Sequence, residues 1–298
     1  MSPMNVVWHE GANNPDNRCW LGMTKLLNDA LDAANESFIH RSTWVELPPD
    51  ATEAIVVIHG DHEYRHIHTI QEELKRLQRA LIIVIGDESA LFPTAALAGP
   101  GRILWHQVPI PGRHDYCKRF LIGGYPPDCP HLICPGNERH YDWFFAGQIT
   151  HARRVACAEQ LRQLPNGKLL ETAGFWQGFE RAEYYALMST AKIIPCPSGP
   201  TTPDSFRVAE ALEAGCIPIV DGTCPRFAYP QGYWKYVFGY DPPFPIIYDW
   251  KTLPRVMDEM LAGWPRNRDI AYAWWQQYKK EMHSWVTEDL NLLRSGQC

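Results

Sequence analysis

Residues 195–220 decide the fold and read PCPSGPTTPDSFRVAEALEAGCIPIV. An apolar run ends at Cys196, a loop of small residues and prolines follows, and a helical pattern then covers 205–214. Gly215 stops the helix, and a second apolar run occupies 217–220. The segment therefore predicts a strand, a loop, a helix and a strand, which together form one unit of a parallel sheet.

The same alternation extends along the rest of the chain, as expected of strand–helix units around parallel sheets. Strands are predicted at 6–8, 54–58, 80–85, 102–105, 143–147, 168–171, 192–196 and 217–220. Helices are predicted at 20–33, 67–77, 151–164, 181–190, 205–214, 253–261 and 270–293. Two stretches without periodicity are predicted to be irregular: a linker and crossover over 109–136, and a proline-rich loop that ends at Pro245.

The composition excludes several classes of protein. The 298 residues are 45% hydrophobic and 21% charged, which is typical of a globular chain and not of a disordered one. A formal net charge of -6 gives no general attraction to nucleic acid or to anionic membranes, and no apolar run has the length of a membrane-spanning helix. Nine cysteines without a CxxC pair favour a reducing compartment. We therefore expect a cytoplasmic protein without membrane insertion.

The helix after the small-residue loop carries charges that suit a nucleotide diphosphate. Asp204 or Ser205 can cap its start, where free backbone N–H groups and the helix dipole favour an anion. Arg207 lies in the first turn, and Glu210 follows on the same helical face. The guanidinium can pair with phosphate, and the carboxylate can accept both hydroxyls of a ribose.

An alternative is that Arg207 and Glu210 form a solvated ion pair on a surface helix. Pairs with this spacing are common on exposed helix faces. The strand, loop and helix around the two residues favour nucleotide binding over this alternative.

Three pieces of this half of the chain resemble exostosin-type glycosyltransferases. The segment SFRVAEALEAGCIPIV at 205–220 resembles the donor-binding signature of that family. EYYALMST at 183–190, followed by IPCP at 194–197, is similar to the helix and strand that precede the signature. FFAG at 144–147 resembles the opening of the same domain. The resemblance covers about residues 143–221 and is vague before residue 140.

The resemblance implies the GT-B fold, in which two Rossmann-like domains face a cleft. We therefore expect an α/β protein with an acceptor-side domain at 1–140, a donor-binding domain at 141–265 and a C-terminal helix at 266–298 that packs back across the domains. The donor is expected to be a UDP-linked sugar. The residues expected to bind it are Ser198, Gly199, Ser205, Arg207, Glu210, Gly147, Arg153 and Arg154.

The resemblance also implies an inverting reaction, in which a base deprotonates the acceptor hydroxyl and the oxygen attacks the anomeric carbon. Retaining enzymes of this fold commonly carry a second glutamate eight residues before the position of Glu210, but Thr202 stands there. The chain also lacks an Asp-x-Asp pair, which clamps metal and diphosphate in other glycosyltransferases. We therefore expect no required metal or cofactor, with Arg207 and the helix end stabilising the leaving group.

The base is expected at the carboxyl end of a strand in the first domain, where parallel sheets present their loops. Asp87 and Glu88 follow the strand at 80–85 and are the preferred candidates. Asp61 and His62 follow the strand at 54–58 and come next. A turn or capping role is equally expected of each residue, because acids are common in such loops.

Two groups of potential zinc ligands lack a standard spacing, so we expect polar loop residues and packed thiols instead. The groups are His62, His66 and His68, and Cys129, His131, Cys134 and His140.

Three functions remain open at this point. The acceptor can be a glycan, a lipid-linked sugar or a small molecule, or it can be a hydroxymethylated base in DNA. A third hypothesis is a nucleotide-sugar-binding module that has lost activity. A first-domain site without clustered Lys and Arg would count against DNA, because a DNA acceptor needs several phosphate contacts.

Overall fold

The computed structural model describes residues 4–9, 18–34, 37–125, 129, 139–174 and 178–297. The chain divides into two compact units, one formed by Met1–Pro127 with Tyr278–Cys298 and the other by Asp128–Gln277. The sequence predicted boundaries near residues 140 and 265. The observed divisions come earlier at the first boundary and later at the second, where the division falls inside the last helix.

The first unit is built on a six-stranded parallel sheet with the strand order β2-β1-β3-β4-β5-β6. Its strands are β1 (Met4–Trp8), β2 (Phe38–Arg41), β3 (Glu53–His59), β4 (Arg79–Ile85), β5 (Arg102–Gln107) and β6 (Arg119–Leu121). Its helices are α1 (Arg18–Ala33), α2 (Gly60–Glu63) and α3 (Ile67–Leu74).

The central strands β3 and β4 are almost wholly buried and apolar, as expected of parallel strands that are covered on both faces. Val56 pairs in register with Ile82, and both side chains belong to one hydrophobic cluster. Ile70 and Leu74 of α3 pack into the same cluster. Since α3 is apolar on one face only, this packing fixes its orientation on the sheet.

The second unit is built on a five-stranded parallel sheet with the order β11-β10-β9-β7-β8. Its strands are β7 (Tyr141–Gly147), β8 (Gly167–Glu171), β9 (Ala191–Cys196), β10 (Ile217–Asp221) and β11 (Ile246–Ile247). Its helices are α4 (Ala152–Leu161), α5 (Arg181–Ser189), α6 (Phe206–Glu213), α7 (Tyr233–Phe238) and α8 (Leu253–Ala262), and α9 (Arg266–Ser295) begins here.

Helices cover both faces of the second sheet. Phe145 of β7 packs with Cys157 of α4 in a cluster that also holds Met257 of α8. The neighbouring Phe144 points the other way, with its ring centroid 5.8 Å from that of Tyr184 in α5. The alternation of these two phenylalanines reflects the two-residue period of a strand.

The last part of α9 belongs to the first unit and is attached to its sheet through Asp289. This carboxylate is fully buried and accepts hydrogen bonds from Trp105 Nε1 at 2.8 Å and Lys118 Nζ at 2.6 Å. Arg119 Nη2 lies 3.3 Å from the same carboxylate. Several donors are required because a buried charge without partners is strongly destabilising.

The fold class predicted from the sequence is confirmed: the protein is α/β, with two parallel sheets and a long C-terminal helix. Five elements were missed, and two of them, α2 and β11, have only four and two residues. β2 and β6 are too short to show a strand period, and β6 lies inside the predicted linker. α7 lies inside the predicted proline-rich loop. Along the described ranges, no helix combines the length and the apolar character needed to cross a membrane.

Candidate functional site

The strand order of the second sheet marks one position for a ligand. β7 lies between β8, which follows it in the chain, and β9, which comes later. The connections after β7 and after β9 therefore leave the sheet in opposite directions. In open α/β sheets, ligands bind at the carboxyl ends of the strands at such a reversal. This places the expected site beside Gly147 and Cys196, the last residues of β7 and β9.

Arg207 occupies this position. Its side chain is buried, and Nη2 donates a hydrogen bond to the carbonyl oxygen of Ala146 at 2.7 Å. The guanidinium carbon lies 4.7 Å from the centroid of the Phe145 ring. A Cβ on Gly147, which has φ of 154°, would come within 2.7 Å of Nη2. Glycine at this residue therefore allows the guanidinium to lie directly under the end of β7.

Glu210 is also buried and belongs to a hydrogen-bonded cluster. Its two carboxylate oxygens accept hydrogen bonds from the hydroxyls of Tyr184 at 3.0 Å and Tyr185 at 2.8 Å. Burial raises the pKa of Glu210, against the opposing effect of the tyrosine hydroxyls and Arg207. A solvated surface pair is therefore wrong for Arg207 and Glu210, which are 5% and 3% exposed. The predicted contact with ribose stays a prediction.

Arg154 holds the loop that follows β9 directly, and Arg153 does so through Asp221, which accepts from Ser198 N at 3.3 Å. Arg153 Nε lies 3.2 and 3.1 Å from the two carboxylate oxygens of Asp221, at the end of β10. Arg154 donates to the carbonyl oxygens of Ser198 and Gln148, both at 3.2 Å. Both arginines were expected to bind phosphate. In this structure Arg154 joins the loops that follow β7 and β9, and Arg153 pairs with the end of β10.

The loop between β9 and α6 closes on itself and carries several unpartnered polar atoms. Gly199 N donates to the Asp204 carbonyl oxygen at 3.3 Å. The hydroxyls of Ser198, Thr201 and Ser205 are buried and have no hydrogen-bond partner. Buried polar atoms are nearly always hydrogen-bonded in native proteins, so these hydroxyls are suited to pair with a polar ligand or with water.

His151 and Arg207 add two more atoms to this set. Burial, followed by the nearby Arg154, lowers the pKa of His151, so its imidazole is neutral. Nε2 lies 3.0 Å from the Ser198 carbonyl oxygen and must donate to it, which leaves Nδ1 as a buried acceptor without a donor. Arg207 Nε is a buried donor without an acceptor. The site therefore offers a ligand both hydrogen-bond donors and a hydrogen-bond acceptor.

In the first unit, the two predicted loops with acidic residues lie side by side, because β3 and β4 are neighbours in the sheet. Asp61 Oδ2 accepts from Glu88 N at 3.1 Å, and Oδ1 accepts from Ser89 N at 2.9 Å. A Cβ on Gly60 would come within 2.5 Å of the Asp87 Cβ, so the loops pack closely. Burial is the main cause that raises the pKa of Asp61.

The four candidate bases differ in exposure. Asp87 is only 2% exposed, and its Oδ1 accepts from Leu91 N at 3.0 Å and Phe92 N at 3.1 Å. Asp61 is partly buried and uses both oxygens on backbone groups. Glu88 and His62 are exposed. Asp61 and Asp87 thus hold the loops in place, and Glu88 and His62 are available to solvent.

Asp87, His106 and His114 satisfy the distances of a metal site but not its directions. Their ligand atoms lie within 4.8 Å of one another, and all three residues are buried. The two imidazole rings are stacked, with centroids 3.6 Å apart and planes 19° from parallel, so their nitrogen lone pairs do not converge. His114 Nδ1 accepts from Ile110 N at 2.9 Å, which leaves the proton on Nε2. These residues do not fit a shared metal ion.

Sequence reasoning missed a buried pair at the corresponding reversal in the first sheet. The order β2-β1-β3 places the reversal between β1 and β3. His9 directly follows β1, and Glu63 ends α2, which directly follows β3. His9 Nδ1 lies 3.2 Å from Glu63 Oε2, and the two residues are 3% and 4% exposed. The only sequence signal was a histidine at the end of the first predicted strand.

The predicted zinc groups do not form a described site. His62, His66 and His68 are all exposed. In the second group, His131 and Cys134 lie outside the described residues, whereas Cys129 is buried and His140 is exposed.

Comparison with known proteins supports a glycosyltransferase-like fold. The chain is similar to the crystal structure of the DNA modifying enzyme β-glucosyltransferase, solved in the presence and absence of its substrate uridine diphosphoglucose. The TM-score is 0.54 at 10% identity, over 98% of this chain and 100% of that one. This likeness shows the fold, which is of the GT-B type.

Sequence comparison gives the family. No curated protein matches the chain. The profile of the family described as the RXYLT1 C-terminal domain matches residues 143–292, a range that includes the whole site in the second unit. Because this match spans half of the chain, the protein belongs to the RXYLT1 C-terminal domain family, which is related to glycosyltransferases.

Proposed function

We propose that the protein is an inverting glycosyltransferase that moves a sugar from a UDP-linked donor to a hydroxyl acceptor. The exostosin-type resemblance, which implies inversion, is part of this proposal. One observation carries it. The strand reversal of the second sheet gathers a buried guanidinium and a set of buried, unpartnered hydroxyls at the place where α/β sheets bind ligands.

The donor would bind at this reversal through complementary polar groups. Arg207 and the start of α6 supply positive charge for the diphosphate. The hydroxyls of Ser198 and Thr201 can donate to phosphate oxygens, and His151 Nδ1 can accept from a sugar hydroxyl. A diphosphate held in this way needs no metal to neutralise its charge as the bond to the sugar breaks.

Glu210 has two candidate roles in this site. It can accept the ribose hydroxyls if they replace one or both tyrosine hydroxyls. Alternatively, it can hold Tyr184 and Tyr185 and thereby fix the packing around Arg207. The second role requires no rearrangement of the observed hydrogen bonds.

The acceptor side is assigned to the carboxyl ends of the first sheet. A base there takes the proton of the acceptor hydroxyl, the oxygen attacks the anomeric carbon, and UDP leaves from the opposite face. The sequence predicts four candidate bases. Asp87 and Asp61 are buried or partly buried, whereas Glu88 and His62 are exposed. The free, buried cysteines Cys157, Cys196 and Cys216 suit a reducing compartment, so we infer a cytoplasmic protein.

A DNA acceptor is the second candidate, because the similar β-glucosyltransferase is described as a DNA modifying enzyme. Charge counts against it. In the described loops at the carboxyl ends of β3, β4 and β5, the exposed charges nearly balance. The exposed acids are Glu88 and Asp115, and the exposed cations are Arg65, Arg113 and Lys118, of which Lys118 is paired with Asp289. A DNA-binding surface needs several Lys or Arg contacts to phosphate, so we favour an uncharged acceptor.

Calorimetric titration with nucleoside diphosphates tests the donor site. We expect UDP to bind the wild type, and Arg207→Gln to weaken binding by at least about tenfold, as loss of a charge-assisted contact implies. Arg255→Gln is the matched control, because Arg255 lies exposed on α8 and its described ion pair is with Glu259 on the same helix. If no nucleoside diphosphate binds the wild type, the proposal fails, and the protein is not a transferase of this kind.

A further inference from the structure

We propose that His9 is the general base of this reaction and that Glu63 positions it. The inference rests on the proposed function and deepens it, because it names the group that takes the proton. Neither residue is among the candidates that the sequence nominated. Three observations carry it: the place of the pair in the sheet, the contact between the two side chains, and the hydrogen bonds of the competing acids.

The pair lies where the topology of the first sheet favours a ligand. β1 has β2 on one side and β3 on the other, so the connections after β1 and β3 diverge at their carboxyl ends. His9 N donates to the Val57 carbonyl oxygen at 2.8 Å, which fixes the residue against β3 as the chain leaves β1. Asp87 and Glu88 follow β4, one strand away from the reversal.

The contact with Glu63 prepares the imidazole for proton transfer. Glu63 Oε2 lies 3.2 Å from His9 Nδ1, and neither atom has a hydrogen-bond partner in this geometry, so a small rotation of either side chain would join them. A carboxylate beside Nδ1 holds the proton on that nitrogen and leaves Nε2 as the acceptor. The same carboxylate stabilises the positive charge that the ring acquires with a second proton. The Trp44 ring, 6.0 Å away and 73° from parallel, limits rotation of the imidazole.

The competing acids are less suited to the task. Both carboxylate oxygens of Asp61 accept hydrogen bonds from backbone N–H groups of the neighbouring loop. Oδ1 of Asp87 also accepts from a backbone N–H group. Its Oδ2 is buried and lies 3.6 Å from His106 Nε2. Replacing these hydrogen bonds with a substrate would open the loops, whereas the described contacts of the His9 imidazole are with Glu63 and Trp44 and hold no loop in place.

The step balances without a further reactant. The acceptor O–H bond breaks, and its proton goes to His9 Nε2. The oxygen forms a bond to the anomeric carbon of the donor. The bond from that carbon to the β-phosphate oxygen breaks, and its electron pair leaves with UDP. With water in place of the acceptor, the same step releases UDP and free sugar, which gives an assay while the natural acceptor is unidentified.

The experiment measures UDP release from a panel of UDP-sugars, including UDP-glucose, with water as acceptor. We expect His9→Gln and His9→Ala to lower kcat by about 10² to 10⁴, the usual contribution of a general base. Added imidazole should restore part of the rate in His9→Ala, because it can occupy the vacated space and accept the proton. Glu63→Gln should lower kcat with little change in the KM for the donor. His68→Gln, an exposed histidine on α3, is the matched control.

UDP affinity by calorimetry separates this inference from the proposed function. The residues proposed to bind UDP all belong to the second unit, so the His9 variants should keep the wild-type Kd for UDP. If His9→Gln retains wild-type kcat, His9 is not the base. If the rate falls but imidazole restores none of it in His9→Ala, the role is structural, and the inference is overturned. If the wild type binds no UDP, the proposed function fails first.

Discussion

The carboxylate of Asp61 accepts a hydrogen bond from the backbone N–H of Glu88, with 3.1 Å between Oδ2 and N. The two residues follow different strands, and the sequence nominated each of them separately as a base. The structure joins them, because β3 and β4 are neighbours whose carboxyl ends lie at the same edge. Asp61 thus shapes the loop that presents Glu88, and the two residues have different tasks.

The first prediction concerns the pH dependence of stability at Asp61. Burial raises its pKa, so the folded state binds the proton more tightly than the unfolded state does. The free energy of unfolding should therefore fall as pH rises from the ordinary pKa of an aspartate to the raised one. Asp61→Asn cannot titrate and should lack this decrease. Urea denaturation across this interval compares the two, with the exposed Asp50→Asn as control. Identical pH profiles in all three proteins would contradict the prediction.

The second prediction separates the two roles of Glu210. If it holds Tyr184 and Tyr185 in place, Glu210→Gln and the double variant Tyr184→Phe/Tyr185→Phe should raise the KM for the donor to a similar extent. Both should also lower stability by about 1–3 kcal/mol, because each leaves a buried polar group without its partner. If Glu210 binds ribose directly, only Glu210→Gln should raise KM. Donor titrations and denaturant melts of the three proteins decide between the two roles.

Much of the fold could be predicted because long, buried strands have a strong sequence signal. β3 and β4 are continuous apolar runs, and their ends therefore located the loops of Asp61 and Asp87 correctly. His9 and Glu63 could not be found in the same way. Their proximity depends on β1 lying next to β3, which the sequence does not state, and on β2, which is short and mostly half-buried.

The burial of the charged residues of α6 could not be predicted from the sequence either. Its charged residues have the spacing of a surface pair, yet Arg207 and Glu210 are buried with the rest of the helix. The groups that make this burial tolerable, the carbonyl of Ala146 and the hydroxyls of Tyr184 and Tyr185, come from other elements. A local pattern gives the residue types of a site, whereas the partners that decide exposure are set by packing.

The third prediction concerns salt. An uncharged acceptor should give turnover that changes little between about 50 and 200 mM salt, whereas a DNA acceptor would lose affinity by several orders of magnitude over that range. In the described strand-end loops of the first unit, Glu88 and Asp115 balance Arg65 and Arg113, and Lys118 is paired with Asp289, so these loops present no excess of positive charge to a polyanion. Acceptor titrations with an oligosaccharide and with hydroxymethylated DNA, at both salt concentrations, make the comparison. Saturable, strongly salt-dependent transfer to the DNA would contradict it.

The fourth prediction is turnover without a divalent cation. The chain has no Asp-x-Asp pair, and the Asp87, His106 and His114 group does not direct its lone pairs at one point. Arg207 and the start of α6 would stabilise the leaving diphosphate instead. UDP release should therefore be unchanged after treatment with a chelator. Complete loss of the rate, restored by manganese, would be the opposite result.

The last prediction divides the four bases that the sequence nominated. Asp61→Asn and Asp87→Asn should lower the midpoint of thermal unfolding, because their carboxylates accept from backbone N–H groups in the two loops. Glu88→Gln and His62→Ala alter exposed side chains and should leave that midpoint almost unchanged.

The expected effects of these four variants on kcat follow from the proposal that His9 is the general base. Glu88→Gln and His62→Ala should keep kcat within about threefold of the wild type, far from the 10² to 10⁴ that a general base contributes. Asp61→Asn and Asp87→Asn should lower kcat only as far as they disorder the loops, so a stabilising osmolyte should recover part of the rate. If Glu88→Gln instead loses a hundredfold or more with UDP affinity and thermal stability intact, Glu88 takes the proton, and His9 must be reassigned to a structural role.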